Sequence, residues 1–422
     1  MDTVNSKNLP DRTPRGILHT FVLIASGLLA FTTATFAAEP PRVSPLSPIP
    51  DWNWLEQYQG RLRRSDVLRG LEEYYAQGGT AAGFVEVGAR SLRVRTSGDS
   101  WKELQFAPEG TAPRESIRFW RKGAEMGTAP EGKPLQGVRI AIDPGHLGGT
   151  WAKMEERYFK LGNSDAVAEG DLTLRVAKRL KPQLEKLGAE VVLLRKSDRP
   201  NTPDRPESLV EAATADLTGD VSPFRIRTHS ELFFYRISEI RARARLVNEQ
   251  IRPDIVLCLH FNAEEWGEPE SPQLVVHNHL HALVNGSYSA KELGFEDIRS
   301  EMLDQLFSKT AEEAVPLNET VAEAVAAESG LPPFTYFSNN ARRVGSGPYV
   351  YTRNLLANRL YRAPVVFLEP YVMNSEPVWK RVQLGDYSGV KKINGIPYKS
   401  LVAEYADGVT AGLARYYATV RH

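Results

Sequence analysis

Three apolar segments of the sequence each run into a side chain that can bind a metal ion or transfer a proton. These side chains are His146, His260 and Glu369, and a fourth candidate, Glu169, stands just before a predicted helix. Two imidazoles and one carboxylate are a common ligand set for catalytic zinc, which keeps its fourth position open for water. A second carboxylate is then needed to move the proton, and Glu369 suits that role. The pattern indicates metal-assisted hydrolysis.

Each of these residues also has an ordinary structural explanation. His146 could occupy a turn, and Glu169 could be an acidic residue at a helix start, where negative charge is favoured. A single motif match has a high false-positive rate. The four positions together, in one consistent pattern of strands and helices, favour the functional interpretation.

The segments that precede these residues are short, almost continuously apolar and separated by amphipathic stretches. Such strands are typical of a parallel sheet that is buried on both faces. The carboxyl ends of parallel strands meet at one edge, so we expect the four residues to converge there. The predicted fold is α/β, a mostly parallel sheet with helices on both faces. The predicted strands are Val138–Ile142, Val191–Leu194, Ile255–Leu259 and Pro364–Leu368, and the predicted helices lie within 172–187, 237–251 and 401–416.

A small α+β unit is predicted ahead of this sheet, with a helix over Ser65–Tyr75 and three short strands between 84 and 106. We predict three regions: a signal peptide over 1–37, a small N-terminal unit of unassigned role over 38–130, and a hydrolytic domain over 131–422. Within that domain, 199–231 and 264–341 break the alternation of strands and helices. Both are predicted to be insertions at the edges of the sheet.

The N-terminus has the pattern of an export signal. Lys7, Arg12 and Arg15 precede an uncharged stretch over 16–38, which ends in small residues. This order predicts a secretory signal peptide cleaved after Ala37. The alternative is an uncleaved membrane anchor, because the stretch is long enough to span a bilayer. Either way, we expect the folded part in the periplasm or outside the cell, with no stable membrane insertion if cleavage occurs.

The composition of the chain argues against two other classes of protein, nucleic-acid binders and disulfide-linked domains. Lys+Arg and Asp+Glu both number 52, so the chain has no net basic charge for wholesale nucleic-acid binding. Cys258 is the only cysteine, which rules out an intramolecular disulfide. Its apolar flanks predict a small buried core residue.

Four motifs resemble one known family. Asp143–His146, Glu169–Leu174, Leu259–Ala263 and Val366–Pro370 are similar to segments of the zinc-dependent N-acetylmuramoyl-L-alanine amidases of the amidase 3 family, in the same order and over roughly 137–417. The resemblance implies one Zn²⁺ bound by His146, Glu169 and His260, with Glu369 catalytic. It also implies a peptidoglycan hydrolase that uses zinc-activated water to cleave the amide between N-acetylmuramic acid and L-alanine.

Two other functions stay open at this point. One is a zinc peptidase that acts within the stem peptide, and the other is a non-catalytic cell-wall binder on an amidase fold. The sequence also departs from the family in two places. Residues 151–163 look inserted, which makes Glu155 or Glu156 an alternative to Glu169, and Pro370-Tyr371 stands where the family has Gly-Phe.

Three further features have open interpretations. His277, His279 and His281 would share one strand face, where they could bind a second metal, line the substrate cleft or simply face solvent. The acidic stretch over 292–327 is either a solvated helix face or, as in some family members, a helix that covers the zinc until an activator protein moves it. Arg353 and Arg362 could contact peptide carboxylates.

Overall fold

The computed structural model describes residues 42–111, 117–219, 221–338, 340–393 and 395–421. The predicted signal peptide, residues 1–37, lies outside these ranges. None of the helices within them is long and apolar enough to cross a membrane.

Fourteen strands form in the described ranges, and seven of them build the main sheet. In chain order they are β1 Val85–Val87, β2 Ser91–Arg95, β3 Trp101–Gln105, β4 Arg139–Pro144, β5 Tyr158–Phe159, β6 Val167–Ala168, β7 Glu190–Leu193, β8 Ile255–Leu259, β9 Leu280–Val284, β10 Ala341–Arg343, β11 Val350–Arg353, β12 Val365–Pro370, β13 Lys391–Ile393 and β14 Ile396–Tyr398.

The α-helices are α1 Arg64–Gly70, α2 Glu169–Lys186, α3 Val210–Asp216, α4 Pro223–Leu232, α5 Glu239–Arg245, α6 Ala290–Leu293, α7 Glu296–Ser308, α8 Thr310–Ser329, α9 Leu356–Leu360, α10 Glu376–Gln383 and α11 Leu401–Val420. Turns of 3₁₀ or π type occur at Trp52–Tyr58, Leu71–Tyr75, Gly123–Glu125, Gly149–Trp151, Pro206–Leu209, Phe233–Ser238 and Leu246–Ile251.

The main sheet is mixed and mostly parallel, with the order β10-β11-β9-β12-β8-β4-β7. β4, β8 and β12 are neighbours and run parallel, in a register that pairs Ile142 with Leu257 and Leu257 with Val366. These are the three strands whose carboxyl ends carry His146, His260 and Glu369. The prediction of a mostly parallel α/β sheet is confirmed.

Helices cover both faces of this sheet. Successive strand residues point to opposite sides, and the apolar ones are buried on each side. Ile140 and Leu257 pack in the cluster that contains α2, α8 and α11, whereas Ala141 and Cys258 pack on the other side. Cys258 is fully buried, as its apolar flanks predicted, and burial raises the pKa of its thiol well above the usual value.

The prediction that 264–341 is an insertion at the edge of the sheet was wrong. This segment supplies β9, which pairs with both β11 and β12 inside the sheet, and α8, which packs against α11. β9 is antiparallel to β12, so it could not be recognised as another strand–helix repeat. The helix predicted over 237–251 also begins earlier, at Pro223, where the Ser222 side chain accepts a hydrogen bond from the backbone of Arg225.

The small N-terminal unit consists of α1, its continuation through Tyr75, and an antiparallel sheet of β1, β2 and β3. Its apolar side chains join the same buried cluster as α7 and α11. Tyr58, for example, packs on Phe307 of α7 with ring centroids 5.0 Å apart. The boundary near residue 130 stays a prediction, although the two regions share a core.

Candidate active site

His146, Glu169 and His260 converge at the carboxyl edge of the sheet. One potential ligand atom from each lies within 4.8 Å of the others, and they form the one such His/Cys/Asp/Glu group of three or more in the described ranges. His146 Nε2 is 3.3 Å from Glu169 Oε2, and His260 Nδ1 is 3.0 Å from Glu169 Oε1. The Glu169 carboxylate therefore bridges the two imidazoles, one oxygen to each.

Two glycines permit this close approach. A Cβ on Gly145 would lie 2.3 Å from the His260 ring, and one on Gly170 would lie 2.3 Å from the backbone nitrogen of Gly148. Neither position has room for a larger residue, since the second contact is with backbone that cannot swing away. The glycines thus bring the turn after β4 against both β8 and the start of α2.

Glu155 holds the turn that carries His146. Its carboxylate accepts hydrogen bonds from the backbone amides of Leu147, at 2.8 Å, and Gly148, at 3.0 Å. Glu155 Oε1 is also 3.6 Å from His146 Nδ1, the ring nitrogen that faces away from Glu169. A carboxylate behind a ligating histidine fixes its ring orientation and raises its basicity. This geometry makes Glu155 a support for His146 on the outer side of the ring, while Glu156 is exposed.

A buried charge network lies beneath the same turn. Asp143 accepts hydrogen bonds from Arg243 at 2.8 Å and from the Tyr361 hydroxyl at 2.5 Å, and Arg243 also donates to Glu239 at 2.8 Å. Arg195 donates to the carbonyl oxygens of Gly145 and Gly170. Hydrogen bonds from the guanidinium groups of Arg195 and Arg243 therefore hold the backbone of the turn after β4 in place.

A cavity of about 240 Å³ opens in front of the three clustered side chains. Glu369, at the end of β12, lines this cavity, and its carboxylate has no hydrogen bond or ion pair with the described residues. Burial raises the pKa of Glu369 to about 7; the charge of His260 opposes this shift and that of Glu169 reinforces it. A carboxyl group whose pKa is close to 7 can both accept and donate a proton at neutral pH. The other lining residues are Arg157, Phe261, Asn262, Ala263, His281, Phe334, Tyr336 and Arg353.

Glu169 is in the opposite electrostatic situation. Burial would raise its pKa, but the charges of His146 and His260 and a hydrogen bond with His260 outweigh burial and lower the pKa to about 2. Arg157 adds to this effect through an ion pair of 3.2 Å to Glu169 Oε2. Glu169 is thus an ionised acceptor, the state in which a carboxylate binds a metal.

Comparison with known proteins identifies the family. The family model of N-acetylmuramoyl-L-alanine amidases, amidase 3, matches residues 140–387, more than half of the chain. The chain belongs to this amidase family.

The solved structures to which this chain is similar include those of three amidases. The N-acetylmuramyl-L-alanine amidase Ami1 from Mycobacterium smegmatis has 16% identity and a TM-score of 0.38, with 68% of this chain and 99% of that chain covered. AmiC2 of Nostoc punctiforme has 14% identity and a TM-score of 0.36, with 67% and 98% covered. The CwlD amidase of Clostridioides difficile, solved in complex with the GerS lipoprotein, has 12% identity and a TM-score of 0.36, with 67% and 100% covered. No curated protein matches the chain.

The departure from the amidase pattern at Pro370-Tyr371 is anchored from below. Tyr371 has a φ of 58°, which is unusual for a residue with a Cβ. Its hydroxyl donates to Glu404 at 2.9 Å, and Glu404 in turn accepts two hydrogen bonds of 2.9 Å from Arg381. The segment that directly follows Glu369 is therefore held by a buried tyrosine and an ion pair.

The three histidines of 277–281 have different surroundings in the structure. His281 lies in β9 and lines the cavity, where its Nε2 is 2.9 Å from the Tyr336 hydroxyl. His279 is buried beside His281, whereas His277 is largely exposed near Glu264. The cleft interpretation thus holds for His281 alone.

The acidic stretch over 292–327 forms α7 and α8, and neither helix contributes to the cavity wall. α8 packs against α11, β9 and β12 and buries most of its residues. The interpretation of this stretch as a cover over the site does not fit that position, and neither does that of a solvated face.

Arg157 and Tyr336 were not predicted as site residues. Arg157 falls in the segment 151–163, which stood out only as an apparent insertion, and Tyr336 falls in the loop after α8. A cation and an aromatic residue in loops carry no spacing signal of their own.

Proposed function

We propose that this protein is a zinc-dependent amidase that cleaves the bond between N-acetylmuramic acid and the L-alanine of the peptidoglycan stem peptide. The observation that carries the proposal is the convergence of His146, Glu169 and His260 beside a cavity that also contains Glu369. Membership of the amidase family supports the same reaction.

The donor set fits zinc. Two imidazole nitrogens and one ionised carboxylate oxygen are the ligands of several catalytic zinc sites, and the adjacent cavity leaves room for further coordination. Glu155 behind His146 matches the outer carboxylate that such sites use to orient a ligand. When bound, zinc would polarise a carbonyl group and lower the pKa of a bound water molecule to about 7.

The remaining chemistry falls to the chain itself. Glu369 takes the proton of the attacking water as the water adds to the amide carbon, and it delivers that proton to the departing alanine nitrogen. Its unpaired carboxylate and raised pKa suit both steps. Arg157 adds to the two imidazoles in keeping Glu169 ionised, and Phe334 and Tyr336 in the cavity wall restrict the approach of the substrate.

The export of the enzyme is part of the proposal, since its substrate lies outside the cytoplasm. The basic-apolar-small order of residues 1–37 supports a cleaved signal peptide and a periplasmic or extracellular location. N-terminal sequencing of the protein from its natural source should begin at Ala38. An intact N-terminus in the membrane fraction would instead support an anchor.

The decisive experiment is mass analysis of peptidoglycan digested by the purified protein, together with its metal content. Free muramic acid ends and stem peptides that begin with L-alanine are the expected products, in a preparation with one zinc per chain. Shortened peptides that remain on the sugar would instead establish a peptidase. Sacculus binding without products, in a zinc-loaded preparation, would establish a binder.

A further inference from the structure

Arg353 is the one cation of the catalytic cavity wall that has no carboxylate partner in the described ranges. It is the last residue of β11, and its guanidinium donates to the Tyr336 hydroxyl at 3.3 Å. The other arginine in the wall, Arg157, is paired with Glu169. Arg362, nine residues further along the chain, is paired with Asp304 at 3.1 Å and does not line the cavity.

The surroundings of Arg353 hold it in place without neutralising it. Tyr336 contacts both Arg353 and His281. Burial, followed by the charges of His279 and Arg353, lowers the pKa of His281 to about 3, so this imidazole is neutral. The wall formed by His281, Tyr336 and Arg353 therefore presents a single positive charge.

That charge stands on the same side of the sheet as the proposed base. His281 pairs with Glu369 in the register of β9 and β12, which places their side chains beside each other on one face. The cavity of about 240 Å³ is smaller than the roughly 300–1,000 Å³ of ordinary ligand pockets. Arg353 and Glu369 both line this small cavity, so an anion that Arg353 binds there lies close to the proposed base.

We propose that Arg353, positioned by Tyr336, forms a subsite for a carboxylate of the peptide, on the residue that follows the L-alanine of the scissile bond. This inference rests on the proposed function. A guanidinium with free donors recognises a carboxylate through charge-assisted hydrogen bonds, often two in parallel. The sugar side of the scissile bond offers no such anion beyond the reacting carbonyl, which makes Arg353 a determinant of specificity for the peptide side.

The test uses two soluble substrates, N-acetylmuramoyl-L-alanyl-D-glutamate with its γ-carboxylate amidated and its α-carboxylate free, and the same compound with the α-carboxylate also amidated. The full-length mature protein should prefer the free acid by about tenfold in kcat/KM, the effect of one charge-assisted contact. Arg353→Gln should remove this preference, chiefly through KM, and Arg353→Lys should keep part of it. Arg343→Gln changes an exposed arginine on the neighbouring strand that does not line the cavity, and it should behave like the wild type.

A binding measurement separates this inference from the proposed function. The dipeptide L-alanyl-D-glutamate is titrated into the wild type and Arg353→Gln, with thermal unfolding as a check that both are folded. Cleavage with equal selectivity in the wild type and Arg353→Gln would overturn the subsite and leave the amidase proposal intact. Dipeptide binding that depends on Arg353, without cleavage of either substrate, would support the subsite and overturn the amidase proposal.

Discussion

Two groups of charged side chains near the turn after β4 differ in whether they form ion pairs. Beneath the β4 turn, Asp143, Glu239 and Arg243 are fully buried and saturate one another. In the cavity wall, Glu369 and Arg353 form no ion pair within the described ranges, although the charge of Arg353 contributes to lowering the pKa of Glu369. A buried charge is stable only when it is paired, so the first group has a structural role and the second is available to a substrate. Substitutions should therefore affect folding in one group and turnover in the other.

The largest expected effect is that of Glu369→Gln. Glutamine keeps the shape of the side chain but cannot take up a proton, so turnover should fall by about 10²–10⁴-fold, the usual contribution of general acid–base catalysis. Zinc content and the free energy of unfolding should stay near those of the wild type. Loss of zinc would make Glu369 a ligand, and near-normal turnover would place the base elsewhere, for example at Glu376.

Arg243→Met should act on stability. It leaves Asp143 and Glu239 as buried carboxylates without their cation, and breaking such a pair costs about 3–5 kcal/mol. Urea unfolding measures the change. The matched variant is Arg415→Met, because Arg415 and its partner Glu323 are both about half exposed and the loss of this pair should cost less than about 1 kcal/mol. Equal costs for the two variants would show that burial does not make the Arg243 ion pairs more important for stability than an exposed pair.

Glu155→Gln should weaken metal binding without removing a ligand. Loss of an outer carboxylate behind a ligating histidine lowers metal affinity by about 10–100-fold. Competition with a zinc chelator gives the affinity directly. The exposed neighbour provides the control, because Glu156→Gln should leave the affinity unchanged. Complete loss of stoichiometric zinc in Glu155→Gln, with zinc retained in Glu169→Ala, would mean that the ligand assignment is wrong.

The smallest effect concerns a paired carboxylate at the opposite end of the sheet. Asp254 is fully buried and forms ion pairs with Arg121 at 2.6 Å and Arg139 at 3.0 Å. Burial would raise its pKa, but the hydrogen bonds from these two arginines outweigh burial and lower it. A lowered pKa in the folded state means that the stabilisation is present above the unfolded pKa of about 3.9 and is lost as the pH falls.

Asp254→Asn should therefore cost about 1.5 kcal/mol at pH 7, the lower end for hydrogen bonds to charged groups, because asparagine keeps one acceptor oxygen. The difference from the wild type in free energy of unfolding should shrink steadily below about pH 4. Urea unfolding of both proteins between pH 7 and pH 3 provides the measurement. A difference that stays constant with pH would show that the carboxylate charge is not what stabilises this site.

The sequence was most informative where a strand delivered a residue directly to the site. His146, His260 and Glu369 follow apolar runs of a length and composition that strands require, so both the fold class and their convergence could be predicted. β9 was not predicted as a strand of the main sheet, because its apolar core, Leu280–Val284, is interrupted by His281 and preceded by two further histidines. That alternation indicates a half-exposed strand, whereas the structure buries every residue of it.

The roles of Glu155 and Arg157 could not be predicted for a different reason. Both depend on how a short loop folds back over the turn after β4, and loop conformation is not encoded in a periodic pattern. Glu155 was considered only as a rival ligand, yet it faces the other nitrogen of the same ring. The helix and strands of the small N-terminal unit could likewise be predicted from the sequence, but the core that the unit shares with α7 could not.

The position of β12 has a consequence for the order in which the main sheet can assemble. It is the last strand of that sheet along the chain, yet it takes a place inside the sheet, between β8 and β9. Until residues 365–370 are in place, the half formed by β8, β4 and β7 and the half formed by β9, β11 and β10 have no strand to join them. The same six residues carry Glu369. The folding chain therefore acquires its proposed proton carrier in the step that closes its sheet, and no earlier intermediate holds the complete set of site residues.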